Sequence, residues 1–307
     1  MNLRDLKYVL AVAETRHFGQ AAERCFVSQP TLSGQIKKLE DELGVKIFER
    51  SNRSVAVTEF GKSMLINARQ LVEQADVIEQ LARAHQDPLA GPLRIGIIPT
   101  LSPYLMPWVL GPLKHTYPQI KLVLYEELTD VLLKRLDRHE IDAALLATNL
   151  DETGFRSLAL FNEPFWLAHP NNHVLATKSD IKADDLHNSD LLLLAEGHCL
   201  ARQVMGVCQI KARGAQSDMA DLRAASLETL LQLVAAGFGT TLVPALAARL
   251  ARTTQNLVLR PLAVPGAYRQ ISLIHRSTFP RQPALLAVAN LICEQLPSDI
   301  EVTRVLD

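Results

Sequence analysis

The sequence predicts two folded regions of different class: a small helical head with a hairpin, and a larger two-lobed α/β body, joined by one long helix. Three observations predict it. Apolar residues recur at helical spacing through most of the first 85 positions. The breaker Pro88-Leu89-Ala90-Gly91-Pro92 then ends that pattern. Beyond it, short strand-like runs alternate with helical stretches to the end of the chain, the pattern of an open α/β architecture.

In the head, Leu3, Leu6, Val9, Leu10 and Ala13 form the apolar stripe of a first helix, and the small pair Ala21 and Ala22 marks a short second one over roughly 18–25. Ser28 is placed to cap a third helix, Pro30 is tolerated in its first turn, and Gly44 ends it near Leu43. Leu32, Ile36, Leu39 and Leu43 give this helix its apolar face. Its first turns offer Gln29, Thr31, Ser33 and Gln35, followed by Lys37 and Lys38. That is the shape of a helix-turn-helix reader, whose second helix sends its early residues to base edges in the major groove.

Lys46 to Val57 reads as two short strands around Ser51-Asn52-Arg53, a hairpin wing with Arg50 and Arg53 available to phosphates. The candidate DNA-contacting set is therefore Ser28, Gln29, Pro30, Thr31, Ser33, Gln35, Lys37, Arg50 and Arg53. From Thr58 to His85 there is no proline, and Met64, Leu65, Leu71, Ala75, Ile78 and Leu81 make a long stripe of the kind that pairs with a copy of itself. Charge adds little: the first 62 residues hold ten basic and eight acidic side chains, a net of +2. On residues alone, a plain three-helix bundle remains the alternative.

The chain has 307 residues, 48% of them hydrophobic, with 32 Lys+Arg against 33 Asp+Glu, the composition of an ordinary soluble globular protein with material for two or three domains. Charges at Arg4, Asp5 and Lys7 argue against a secretion signal, and the expected location is the cytoplasm. Ile95 to Leu113 is free of charge but contains Pro99, Pro103, Pro107 and Pro112, so a strand, loop and short helix are expected there rather than a membrane span. No ligand spacing among the cysteines suggests zinc, and no cofactor or metal is expected.

The stretch AAERCFVSQPTLSGQIKKLEDELGVKIFER followed by VTEFGK resembles the N-terminal signature of LysR-type transcriptional regulators. AAGFGTTLVPAL, residues 235–246, resembles the A-A-G-x-G block of the same family, so the likeness extends over essentially the whole chain. It implies a winged helix-turn-helix over 1–58, a dimerising linker helix over 59–87, and a periplasmic-binding-protein-like effector domain over 88–307. The partners it implies are promoter DNA, a second copy of the chain and RNA polymerase. Within the effector domain the strand clusters divide near residues 163 and 266, giving one lobe of about 88–163 plus 267–307 and another of about 164–266. Strands are expected at Lys121 to Glu126, Ile141 to Ala147, Phe165 to Ala168, Asp190 to Leu194, Thr240 to Val243 and Ile271 to Ile274.

Ligands of such folds sit at the carboxyl ends of strands, in the crevice between lobes. Thr100 and Thr129 both follow strand ends, and on sequence a helix-capping role is as good an account of them as a ligand role. The four cysteines stand at 25, 199, 208 and 293. Cys25 and Cys293 read as packing thiols. Cys199 follows His198 at the expected start of a helix, where the positive dipole end favours a thiolate. If 199–208 is one helix, the two thiols lie on opposite faces roughly 13–14 Å apart along the axis, while a disulfide needs Cα atoms within about 7 Å. A bond between them would be a conformational switch.

EGHCL…MGVC, with IPT…PYLMP near residue 100 and SLETL at 226–230, resembles the OxyR branch of that family, its hydrogen-peroxide-sensing activators. The resemblance implies Cys199 as the peroxide-reactive thiol, Cys208 as its resolving partner, Thr100, Thr129 and His198 as the peroxide pocket, and a homotetramer. One departure stands out. The branch reads G-H-C-L/F-R-D-Q, whereas this chain has Ala201-Arg202-Gln203 after Leu200, with arginine in place of the acid. The competing readings are a regulator switched by a small metabolite in the crevice, and a thiol peroxidase, which lacks a second catalytic constellation here.

Overall fold

The computed structural model describes residues 1–50, 55–148, 154–178, 181, 182, 185, 186, 190–208, 224–251 and 254–303. Arg53 and the side chains of Arg50 and Leu81 lie outside the described set. The chain divides into two compact units, Met1–Gln86 and Asp87–Asp307.

The first unit packs α1 (Leu3–Thr15), α2 (Phe18–Arg24) and α3 (Gln29–Leu43) against the strands β1 (Phe48–Arg50) and β2 (Val55–Val57) and the start of α4 (Glu59–Gln86). Asn2 and Asp5 form a reciprocal capping box at 2.9 and 3.0 Å that fixes where α1 begins. His17 does the same for α2, its Nδ1 accepting from the amides of Gly19 and Gln20. Ser28 caps α3 as the sequence indicates, and Gly44 ends it at φ 72°, in the left-handed region that suits glycine. Leu32, Ile36 and Leu39 are buried, but Leu43 is 38% exposed; Ile47 and Phe48 take the core positions that follow Leu39 along the chain.

β1 and β2 pair antiparallel with Phe48 opposite Val57, so the expected wing is present. Its base is held by a buried carboxylate: Glu40 of α3 accepts from the amides of Ile47 and Phe48 at 2.9 and 3.1 Å. Thr58 opens α4, accepting from the Gly61 amide and donating to the Lys46 carbonyl. A side chain at Gly61 would place its Cβ 2.4 Å from the Ile47 carbonyl oxygen, so the close approach of α4 to the wing requires glycine. Along α4, Met64 and Leu65 pack against the head, whereas Leu71 and Ile78 are 49% and 67% exposed.

The second unit is built on a mixed sheet with strand order β10-β6-β9-β5-β3-β4. Its strands are β3 (Gly91–Ile97), β4 (Ile120–Glu126), β5 (Ala143–Leu146), β6 (Phe155–Pro170), β7 (Thr241–Pro244), β8 (Leu257–Pro261), β9 (Tyr268–Arg276) and β10 (Glu301–Val302). The helices are α5 (Ser102–Thr116), α6 (Thr129–Asp137), α7 (Cys199–Val207), α8 (Leu227–Ala235), α9 (Ala245–Ala251) and α10 (Gln282–Gln295). β3 runs parallel to β4 and β5, the crossovers being α5 and α6, and every other named pairing is antiparallel.

β6 is the element that joins the two halves. Its 16 residues pair with β9 as far as Pro164 and with β7 and β8 from Phe165 onward. Only Phe165 to Ala168 was expected as strand; the earlier half carries Arg156, Asn162 and Glu163 and lacks a clean apolar alternation. The expected strand Asp190 to Leu194 is not one. Leu191 and Leu194 make single bridges, to Thr240 and Ala224, because the segment moves from one neighbour to another instead of following either. The uncharged run Ile95 to Leu113 is divided between β3, a loop and α5, and no described helix is long and apolar enough to cross a membrane.

Candidate functional site

At the carboxyl ends of β3 and β4 the chain turns into α5 and α6, and these turns face the start of α7. Ile98, Pro99, Thr100, Leu128, Thr129, Gly197, His198 and Cys199 line one small pocket there, about 150 Å³ of empty space including its open mouth. Sequence reasoning named four of these residues, and the structure brings all four together. Gly197 has φ 98°, and a Cβ on it would meet Leu128 at 2.9 Å, so glycine lets the segment before Cys199 close against the α6 turn.

Neither threonine caps a helix. α5 and α6 begin at Leu101 and Leu128 as cap residues, without side-chain caps. Thr100 is buried, and its Oγ1 accepts a 2.9 Å hydrogen bond from Arg269 Nη1, while Arg269 Nη2 donates to the Thr100 carbonyl at 2.9 Å. A hydroxyl has one proton to give, so with Arg269 supplying a donor, the Thr100 proton is left for another acceptor. Thr129 is buried as well, and its Oγ1 has no hydrogen-bond partner among the described residues.

Sequence reasoning missed Arg269. It is fully buried with its charge balanced by Glu163, 2.8 Å away, whose other oxygen accepts from the Leu246 amide. No local signal marks this pair: 106 positions separate the partners, and both lie just outside the strands expected from the sequence.

α7 begins at Cys199 and ends at Val207, with Cys208 as its C-cap. Both thiols are buried, at 5% and 1% exposure, and both are free. Leu200, Val204 and Cys208 follow one another at intervals of four on the buried face, and Cys199 stands at the leading end beside the pocket. Burial pushes the Cys208 thiol up to about 11, so at neutral pH it is fully protonated. Gln203 ties the helix down: its Nε2 donates to the Ala147 carbonyl beyond β5 at 2.6 Å, the only hydrogen bond from an α7 side chain among the described residues. Its Oε1 is buried without a partner. Arg202, the residue that departs from the expected motif, is exposed. Cys25 and Cys293 are half-buried against the two cores, as packing thiols would be.

In the first unit, Ser28, Gln29, Pro30, Thr31, Gln35 and Lys37 are exposed and Ser33 is half-buried, opposite the buried Leu32, Ile36 and Leu39. Ser28 is also engaged in its cap, its Oγ lying 2.8 Å from Thr31 Oγ1.

Residues 3–62 match the model of bacterial regulatory helix-turn-helix proteins of the lysR family, and residues 86–297 match the LysR substrate binding domain. A hydrogen peroxide-inducible genes activator of Pectobacterium carotovorum is 41% identical over 301 residues, 98% of this chain and 99% of the relative. The DNA-binding transcriptional dual regulator OxyR of Escherichia coli is 43% identical over 280 residues, 91% of each. Among solved structures, a full-length OxyR variant from Pseudomonas aeruginosa superposes with a TM-score of 0.78 at 36% identity, covering 100% of this chain and 99% of its own. A hydrogen-peroxide-bound OxyR mutant from Corynebacterium glutamicum gives 0.66 at 34% identity, covering 96% and 92%. The chain belongs to the lysR family of bacterial regulatory helix-turn-helix proteins, and within that family it is similar to the OxyR regulators.

Proposed function

We propose that the chain is a hydrogen-peroxide-sensing, DNA-binding transcriptional activator in which Cys199 reacts with peroxide and Cys208 resolves the product. One observation carries this reading: Cys199 opens α7 inside the pocket of Thr100, Thr129 and His198, while Cys208 closes the same helix.

In the first step the Cys199 thiolate attacks one peroxide oxygen. The S–O bond forms as the O–O bond breaks, and the departing oxygen takes a proton and leaves as water. Sulfur loses two electrons and becomes a sulfenic acid. Thr100, its oxygen engaged by Arg269, donates its proton to the peroxide; Thr129 offers an unpartnered hydroxyl, and His198 is adjacent to the sulfur in sequence. In the second step Cys208 attacks the sulfenic sulfur, the S–S bond forms and a second water leaves. Nine positions of helix hold the thiols roughly 13 Å apart along the axis, so α7 must unwind first. Unwinding also frees Cys208 from the burial that keeps it protonated.

Residues 1–58 read promoter DNA through Ser28, Gln29, Pro30, Thr31, Ser33, Gln35 and Lys37, with Arg50 and Arg53 on phosphates; residues 59–87 dimerise, and 88–307 form the sensor, with lobes of about 88–163 plus 267–307 and about 164–266. The protein works in the cytoplasm as a homotetramer that engages RNA polymerase, and it is a switch rather than a peroxidase. The test is to add near-stoichiometric peroxide to the reduced protein, map disulfides by mass spectrometry in the wild type, Cys199→Ser and Cys208→Ser, and follow the promoter footprint. A 199–208 linkage that shifts the footprint is expected. Its absence, a linkage without a shift, or sustained peroxide turnover would overturn the reading.

A further inference from the structure

We propose that Phe26 is a base-reading residue, its ring packing on a thymine methyl group in the major groove beside the bases reached by Gln29 and Thr31. This rests on the DNA-binding reading and adds to it a residue that hydrogen-bond donors and acceptors alone would not suggest.

Phe26 is 94% exposed, the most exposed large apolar side chain described. It is also in the left-handed region at φ 56°, a conformation disfavoured for a residue with a β-carbon. The turn is well bonded: the amides of Cys25, Phe26 and Val27 donate to the carbonyls of Ala21, Glu23 and Ala22. Cys25 and Val27, on either side, both pack against the head core. The left-handed residue between them allows both neighbours to face inward, and it puts the ring outside. A strained, bonded turn that presents a large apolar ring to water spends stability, and such outliers gather at sites of function.

Location gives the function. Phe26 precedes the Ser28 cap by two residues, and Ser28, Gln29, Pro30 and Thr31 are all exposed after it. The ring is the one aromatic side chain beside Ser28, Gln29, Pro30 and Thr31 at the leading end of the recognition helix, the end that enters the groove in helix-turn-helix proteins. The major groove offers one apolar feature, the thymine methyl, and apolar side chains read it by contact. Gln29 and Thr31 supply the hydrogen bonds; Phe26 supplies the van der Waals surface.

The test uses full-length reduced protein and a duplex selected by the wild type from a random pool. Thymines are replaced one at a time by deoxyuridine, which removes only the methyl. The wild type should lose about fourfold in affinity at one thymine per half-site, the scale of one buried methyl group. Phe26→Ala should bind the unsubstituted duplex more weakly and be indifferent to that replacement. Phe26→Gly keeps the test free of folding artefacts: glycine suits φ 56°, so this variant should melt no lower than wild type while still binding more weakly. Unchanged affinity in both variants would overturn the proposal and leave the DNA-binding reading intact. Weaker binding with no thymine position affected would place the ring on the backbone and overturn the methyl contact. Failure of the wild type to select any duplex would overturn the DNA-binding reading, and the proposal with it.

Discussion

Arg269 and Thr100, 169 positions apart, share two hydrogen bonds of 2.9 Å, one to the threonine hydroxyl and one to its carbonyl, at the wall of the pocket that holds Cys199. Behind Thr100 the guanidinium is anchored by Glu163, and all three side chains are buried. The pocket's hydroxyl is therefore oriented by a charge pair that spans β6 and β9, the strands that hold the sheet together.

Breaking that pair should be costly. Glu163→Ala leaves a buried guanidinium without its counter-charge, and removing one partner of such a pair costs about 3–5 kcal/mol. Thermal unfolding should show a clear loss of stability, and the peroxide reaction of Cys199 should slow as Thr100 loses its orientation. A variant that melts and reacts like wild type would mean that the pair supports neither.

Gln203→Ala should make α7 easier to open. A net hydrogen bond is worth about 1 kcal/mol, or roughly fivefold in an equilibrium, and here the buried, unpartnered Oε1 reduces that net value. Formation of the 199–208 disulfide, followed by quenched-flow alkylation and mass spectrometry, should speed up severalfold while the initial oxidation of Cys199 keeps its rate. An unchanged closure rate would mean that opening is governed elsewhere.

Alkaline pH should destabilise the second unit through Cys208. Its thiol is held near 11 in the fold by burial, against 9.0 for an unperturbed group, so the folded state keeps a proton that the unfolded state loses. The stabilisation is fully present below pH 9 and disappears as pH rises from 9 to 11, an effect on the order of 2 kcal/mol. Cys293, also pushed up to about 11 by burial, adds to the same slope. Denaturant titrations across that window should show a shallower fall for Cys208→Ala than for wild type.

Leu71→Lys combined with Ile78→Lys should weaken self-association. Both side chains are exposed on α4 and stand seven positions apart, on one face of the helix. Sedimentation should show a shift toward monomer with the head still folded by circular dichroism; an unchanged mass would place the dimer contact away from this stripe.

The recognition helix was legible because its signals are local: Ser28, Pro30, the Leu32, Ile36 and Leu39 spacing, and Gly44 all act within one helix length. The cysteine helix was legible for the same reason, and its geometry alone separates the two thiols. The likeness between the signature of residues 21–62 and the lysR family supplied the rest of the outline. Leu43 and the segment 190–194 were misread because burial and pairing there depend on neighbours outside the local pattern.

Sequence by itself determined the helices of the head and the two thiols at the ends of one helix, and the likeness to the OxyR branch supplied Thr100, Thr129, His198 and Cys199, four of the eight residues that line the pocket. Tertiary structure alone decided how that pocket is held. Glu163 and Arg269 look like surface charges until β6 runs through both halves of the sheet and buries them together; Glu40 looks like a solvated acid until the wing amides turn onto it. The physical reason is common to both cases. A helix or a cap is specified by residues a few positions apart, whereas the partner that makes a buried charge tolerable is chosen by strand register and chain reversal, which bring distant residues together without leaving a periodic trace in either segment.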